Sequence, residues 1–313
     1  MIKNPVLIDT DPGVDDTFAI MMAKGSDKLD IKAMTVTCGN VGLKNTLRNA
    51  LGICDVLGID APVYKGAEKP LIVELRDAAE FHGESGLGGY IYRDIKKKPE
   101  EEYAWDGIYK TAKECDGELT IIALGPLTNI AIALLKYPDL PKYIKRTVIM
   151  GGTFEDFGNC VPNSEFNFWI DPHAVEIVLN ADMKTEIYGL NCTRQATLSV
   201  EVMSLVKNPD PKIEELIRHM EAFDIQLAID KGKVPTIHIP DGVATAGAID
   251  SSLFELEKHH VVCATEGGTI QGWSLIDHRH RLGKEPNTLV AKKVDKQGFM
   301  KLLLGINSLR GED

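Results

Sequence analysis

Residues 9–20 read DTDPGVDDTFAI, with Asp9, Asp11, Asp15 and Asp16 set around a Pro12-Gly13 turn. The five residues ending on Asp9, PVLID (5–9), form an apolar run that reads as a buried strand. The stretch after the turn, DDTFAIMMAKG (15–25), reads as a helix capped by aspartate and ended near Gly25. A strand, a tight turn and a helix in direct succession make the first unit of a βα fold. Carboxylates this close repel one another and resist ionising together. Their crowding at the junction therefore needs a cause.

The same alternation continues along the chain. IKAMTVTCG (31–39) and KNTLRNALGICDVLG (44–58) read as the next strand and helix. LTIIALG (119–125) pairs with TNIAIALLKY (128–137), and RTVIMGG (146–152) reads as a further strand. DPHAVEIVLNA (171–181) reads as helix and KTEIYGL (184–190) as extended. This pattern predicts an α/β fold: an open, mostly parallel, Rossmann-like sheet with helices on both faces. The chain is read as one domain over 1–313, with a helical elaboration at about 200–250, clearest in PKIEELIRHMEAFDIQLAID. In such sheets ligands sit beyond the carboxyl ends of the strands. Asp9, Asp11, Asn40, Gly125 and Met150 all fall at such ends, so residues far apart in sequence are expected to converge.

The net charge of −11 disfavours a nucleic-acid partner and an anionic membrane surface. Lys96-Lys97-Lys98 is followed at once by Pro99 and three glutamates and reads as a solvated loop or helix start. Cys38, Cys54, Cys115, Cys160, Cys192 and Cys263 show neither a CxxC nor a zinc spacing, and most read as small buried hydrophobes. MIKNPVLIDT lacks the apolar core of a signal peptide, and no apolar run is long enough to span a bilayer. The expectation is a reduced, cytoplasmic protein without nucleic-acid or membrane partners.

Several motifs carry chemistry. One or two of the N-terminal aspartates could simply cap a helix. Four together call for a cation, and a hard divalent ion with oxygen ligands is the natural one. Asp9-Thr10-Asp11 also has the form of a phosphatase DxD nucleophile motif, but no convincing downstream partners follow it. In NSEFNFWIDP (163–172), an extended reading puts Glu165 and Asn167 on one face over aromatic Phe166 and Phe168, suited to vicinal hydroxyls. The rival reading is an ordinary amphipathic edge strand. IPDG (239–242) places Asp241 before an alanine-rich helix, where capping alone would explain it. HGESGLGG (82–89), with His82, reads equally as a mobile substrate lid or a plain flexible loop.

Taken together, DTDPGVDD (9–16), TCGN (37–40), ALGPLTNIA (123–131), VIMGG (148–152) and Asn159, Glu165 and Asn167 resemble the inosine-uridine-preferring nucleoside hydrolase family. SLIDHRHRLGKEPN (274–287) and VDKQGFMKLLLGIN (294–307) resemble its C-terminal elements, so the resemblance spans nearly the whole chain. It implies one Ca²⁺ held by Asp11, Asp16, Asp241 and the Leu124 carbonyl. It implies ribose contacts from Asp15, Asn40 and Asn167, and a 5′-hydroxyl end formed by Asn159 and Glu165. His82 and Met150 complete the expected substrate contacts, and Asp9 supports the loop. The implied reaction is hydrolysis of the N-glycosidic bond of a ribonucleoside, with Asp11 as general base toward a water activated by the metal. Homodimers or homotetramers are implied as well.

The chain departs from the family where the base is expelled. Many members place a histidine before the late calcium aspartate, and Pro240 stands there instead. The helical segment near it has Phe223 as its aromatic and no tyrosine. His238, His82 and His219 are the nearby histidines. Three outcomes stay open: cleavage of ordinary nucleosides without a histidine acid, cleavage of a modified nucleoside such as queuosine or another N-riboside, and a noncatalytic ribose-binding role. A metal-dependent phosphatase is the outside alternative.

Overall fold

The computed structural model describes residues 3–310. β1 (Asn4–Thr10) turns into α1 (Val14–Gly25), and β2 (Leu29–Val36) leads to α2 (Leu43–Leu57). β3 (Val63–Lys65), the short α3 (Ala79–His82) and α4 (Ala104–Glu114) follow. Next come β4 (Leu119–Ala123), α5 (Thr128–Lys136) and β5 (Ile144–Met150). α6 (Phe166–Ile170) and α7 (Pro172–Leu179) precede β6 (Thr185–Tyr188). The next stretch holds α8 (Leu190–Thr193), β7 (Leu198–Ser199), α9 (Val200–Met203), α10 (Pro211–Asp230), β8 (Thr236–Ile237) and α11 (Pro240–Ile249). β9 (Phe254–His259), β10 (Val261–Cys263), β11 (Ser274–Ile276), β12 (Thr288–Val294) and α12 (Lys296–Leu303) complete the path.

Eight strands form the central sheet in the order β3-β2-β1-β4-β5-β6-β12-β9. Every neighbouring pair is parallel except β12 with β9. Strands buried on both faces should read as continuous apolar runs, and VLI and LTIIA do. Successive side chains of β1 serve opposite cores: Val6 and Ile8 pack with α1, α2 and α11, whereas Leu7 packs with α4, α5 and α7. The open, mostly parallel α/β sheet with helices on both faces is therefore as the sequence predicts.

Element boundaries differ in ways that matter for the site. The second strand ends at Val36, so Cys38-Gly39-Asn40 forms a turn rather than a strand end. The first helix is capped at Gly13 and not by an aspartate; Asp16, one turn in, accepts the Gly13 N–H at 2.9 Å. The extended reading of NSEFNFWIDP is wrong: Phe166–Ile170 is helical. The Glu165 carboxylate accepts from the Asn167 and Phe168 amides, and capping those free N–H groups favours a helical turn over a strand.

β1 lies between β2 and β4, so the chain leaves it in opposite directions on its two sides. This switch point opens a crevice at the carboxyl ends of β1 and β4. The crevice is clamped at its base by the Leu124 N–H donating to the Asp9 carbonyl at 2.8 Å.

α11 lies directly against the sheet because residue 247 is glycine. A Cβ there would sit 2.2 Å from Cζ of Tyr188, one of the largest fully buried side chains. Gly247→Ala is expected to lower unfolding stability by about 1–3 kcal/mol through overpacking. Denaturant titration checks this, and an unchanged midpoint would show that α11 does not need the close approach.

Candidate active site

The first strand delivers its acids to the crevice. Asp9 is fully buried and structural: one of its carboxylate oxygens accepts from Thr35 Oγ1 at 2.5 Å and from Asn129 Nδ2 at 2.9 Å. Burial nonetheless pushes its carboxyl up to about 7. Asp11 Oδ2 accepts the Asn40 N–H at 2.6 Å, while its buried Oδ1 has no hydrogen-bond partner. Glycines crowd this carboxylate: a Cβ on Gly39 would lie 2.0 Å from Oδ2, and one on Gly125 2.4 Å from Oδ1. Asp16 accepts from Thr10 Oγ1, the Gly13 N–H and Asn40 Nδ2.

α11 brings Asp241 to the same place. Asp241 sits in the first turn but does not cap it; the cap position is Ile239. Carboxylate oxygens of Asp15, Asp16 and Asp241 lie within 4.8 Å of one another. Asp11 stands outside that trio, although the repulsion of Asp16 and Asp15 acts on it. Burial, reinforced by mutual repulsion, raises the carboxyls of Asp11, Asp16 and Asp241 above their ordinary range. Asp15 is pushed to about 6, chiefly by burial. Unpartnered buried oxygens on Asp11 and Asp15, with oxygen donors throughout, fit a hard divalent cation.

Above this floor is a cavity of about 450 Å³, a size suited to a small ligand. Asp15, Asn40, Leu124, Met150, Asp241 and Pro240 are among its lining residues. Asn40 spends its side-chain donors on the Asp11 carbonyl at 3.1 Å and on Asp16 at 3.0 Å. Asn167 Nδ2 donates to the Leu124 carbonyl at 2.7 Å and to the Met150 carbonyl at 3.2 Å, joining the ends of β4 and β5. Glu165 is nearly fully buried and accepts three backbone N–H groups, from Gly152, Asn167 and Phe168. Asn159 Oδ1 accepts the Phe166 N–H at 3.0 Å. Asn159, Glu165 and Asn167 all line the cavity.

His82 also lines it, from the end of α3. Its Nδ1 accepts the Val14 N–H at 3.4 Å and stands 4.0 Å from Asp15. Burial drops this imidazole to about 4, so it is neutral at physiological pH and makes no ion pair with Asp15. The glycine-rich loop behind it is tied down and is not a loose flap. Asn49 Nδ2 binds both the Pro12 and Ser85 carbonyls, Ser85 Oγ accepts from Leu87 and Gly89, and His219 Nε2 lies 3.0 Å from the Gly88 carbonyl. Gly88 has φ +60°, and a Cβ on it would strike Phe223 at 2.4 Å.

Residues that sequence reasoning passed over complete the wall: Arg76, Phe81, Trp169, Asp224 and Leu227. Arg76 stacks on Trp169 with 5.7 Å to the ring centroid, and Lys231 lies 3.7 Å from that of Phe81. His238, two residues before Pro240, does reach the cavity. Asp224 carried a readable signal. Ile213, Leu216, Ile217 and Met220 form the buried stripe of α10, and position 224 continues it with an acid where an apolar residue belongs.

A sequence profile described as inosine-uridine preferring nucleoside hydrolase matches residues 6–301. The chain is 34% identical over 303 residues to a non-specific ribonucleoside hydrolase, RihC, of Klebsiella pneumoniae, covering 96% of this chain and 97% of that one. A plant nucleoside hydrolase, PpNRh1, superimposes with a TM-score of 0.91 at 30% identity, covering 97% of this chain and 99% of that chain. A purine-preferring ribonucleoside hydrolase from Gardnerella vaginalis gives 0.89 at 30% identity, covering 96% and 98%.

Two expectations follow from this geometry. A divalent cation should raise the melting temperature of chelator-treated protein, by an amount equivalent to about 2.7 kcal/mol at a hundredfold excess over its Kd. Asp241→Asn should largely remove that shift, and an undiminished shift in the variant would place the cation elsewhere. The second concerns Glu165, whose buried carboxyl is pushed up to about 7. Folding favours its protonated form, so its contribution to stability is complete below about pH 4 and is lost as pH rises through about 7. In chelator, wild type should lose more stability than Glu165→Gln between about pH 5 and about pH 8, by at most about 3 kcal/mol. Parallel losses in thermal melts would show that Glu165 is not the titrating group.

Proposed function

This chain belongs to the inosine-uridine preferring nucleoside hydrolase family, and on that footing we propose that it hydrolyses the N-glycosidic bond of ribonucleosides in a calcium-dependent manner, releasing base and ribose. One observation carries the reading: buried, unpartnered carboxylate oxygens on Asp11 and Asp15, with Asp15 lining a nucleoside-sized cavity.

Asp11, Asp16, Asp241 and the Leu124 carbonyl would hold the cation. When bound, such an ion lowers the pKa of water and orients vicinal hydroxyls. The chain's own residues do the rest. Asp15, Asn40 and Asn167 bind the ribose hydroxyls. Glu165 and Asn159 close the 5′-hydroxyl end, with Met150 beside them and His82 near Asp15. Asp11 accepts the proton of the attacking water, its carboxylate fixed by the Asn40 N–H and by Gly39 and Gly125. The floor's negative charge stabilises the positive charge that develops on the ribosyl carbon as the bond breaks.

The base side is atypical, with Pro240 lining the cavity and offering no proton. The relatives named above are all nucleoside hydrolases. Their names lend no weight to a modified-nucleoside specialist, a noncatalytic ribose binder or a phosphatase. The reading also takes the chain as a single nucleoside-hydrolase-like domain carrying its helical elaboration. It acts as a homodimer or homotetramer in the cytoplasm, its six cysteines unpaired.

Calcium-loaded protein incubated with a panel of common and modified ribonucleosides should release ribose from at least one of them. Asp11→Asn should lower kcat at least ~100-fold with the melting temperature little changed. Full turnover in that variant, or phosphate release from a phosphoester in place of ribose release, would overturn the mechanism.

A further inference from the structure

Breaking the glycosidic bond sends its electron pair to a ring nitrogen of the base, and that nitrogen leaves far more readily with a proton. Pro240 has none to give. Apart from the groups already given roles at the floor and the Glu165 end, the carboxyl and imidazole side chains lining the cavity are Asp77, Glu80, His82, Asp224 and His238; Asp77 and Glu80 are exposed to solvent, which leaves His82, His238 and Asp224. His82 Nδ1 accepts the Val14 N–H, so its proton sits on Nε2, and burial drops this imidazole to about 4, which leaves it neutral and a very weak acid. Burial drops His238 to about 4, which leaves a neutral imidazole, a very weak acid.

Asp224 is differently placed. It lies on α10 four residues after buried Met220 and three before Leu227, which also lines the cavity. Helical spacing therefore turns it to the cavity side of the helix. It is partly exposed and lines the cavity, and among the described residues no hydrogen-bond or ion-pair partner holds its carboxylate. α10 is held against the cavity by its own side chains: Phe223 packs on Gly88, and His219 binds the Gly88 carbonyl.

We propose that Asp224 is the proton donor to the departing base, an assignment that rests on the hydrolase reading above. Burial, with the charge of Asp15 adding to it, pushes this carboxyl up to about 7, so a proton is available near neutral pH. In the step, the C1′–N bond breaks with its electron pair going to the base, and a ring nitrogen takes the Asp224 proton. The water oxygen bonds to C1′ and its proton passes to Asp11. Asp11 then releases a proton to solvent and Asp224 takes one up, so the sum is one water consumed for one free base and one ribose.

The test compares two leaving groups. A ribonucleoside needs the proton; p-nitrophenyl β-D-ribofuranoside does not, because nitrophenolate leaves as the anion. Asp224→Asn and Asp224→Ser should each lower nucleoside kcat by ~100-fold or more, and leave aryl riboside kcat within about threefold of wild type. Asp224→Glu should recover part of the nucleoside activity. Parallel losses on both substrates would make Asp224 a structural residue and overturn the assignment, as would undiminished nucleoside turnover. A wild-type protein that cleaves neither riboside overturns the hydrolase reading itself, an outcome read on the unaltered chain.

Discussion

Everything at this site follows from forcing like charges together out of water. Asp11, Asp15, Asp16 and Asp241 arrive from β1, α1 and α11, and burial holds all four above the usual carboxylate range. A fold does not keep such a cluster for stability, because desolvated, mutually repelling carboxylates oppose folding. The surrounding hydrogen bonds show the effort spent on keeping the geometry. Asn40 alone reaches Asp11 through its N–H and, through its side chain, both the Asp11 carbonyl and Asp16. The pairing of Leu124 with Asp9 fixes the ends of two adjacent strands beneath them.

Five strands of the central sheet, β1, β2, β4, β5 and β6, were legible because their signals are local, whereas β3, β9 and β12 were not read from the sequence. Runs such as LTIIA and the turn at Pro12-Gly13 fix strand and turn from a few residues. Asn40 and Met150 were expected to converge because parallel sheets gather their strand ends, whereas Leu124 and Asp241, the latter on α11, were placed with them by the family resemblance; all four line one cavity. Glu165 shows where such reading fails. Alternation of polar and aromatic residues argued for a strand, but its carboxylate takes three backbone amides, two of them from the turn it starts, and that capping decided the conformation. Glycine density likewise suggested a mobile loop at 82–89. The ties that fix it come from Asn49 and His219, residues on helices far away in sequence. Asp224 was missed for a plainer reason. The break it makes in the stripe of Ile213, Ile217 and Met220 shows only when the helix is followed position by position.

The cavity walls differ in how they are built. The floor and the Glu165 end hang on strand termini and backbone amides. The rest of the wall uses side chains of α10, the Phe81 ring beneath Lys231 and, on α6 just past Glu165, the Trp169 ring beneath Arg76. Hydrogen bonds to main-chain groups leave little freedom in position, whereas stacked and apolar contacts tolerate some adjustment. Rigid recognition of a constant group beside adaptable recognition of a variable one suits a substrate with one invariant sugar and several bases.

α10 belongs to a stretch, residues 190–249, that contributes no strand to the eight-stranded sheet; its two short strands pair only with each other. Substitutions on the cavity face of α10 therefore leave strand register untouched, whereas Asp241, on α11 of the same stretch, belongs to the acidic floor. The carboxylates of Asp11 and Asp16 are tied to the end of the first strand and the turn after it, whereas the face of α10 that lines the cavity can change one helical position at a time without disturbing the sheet.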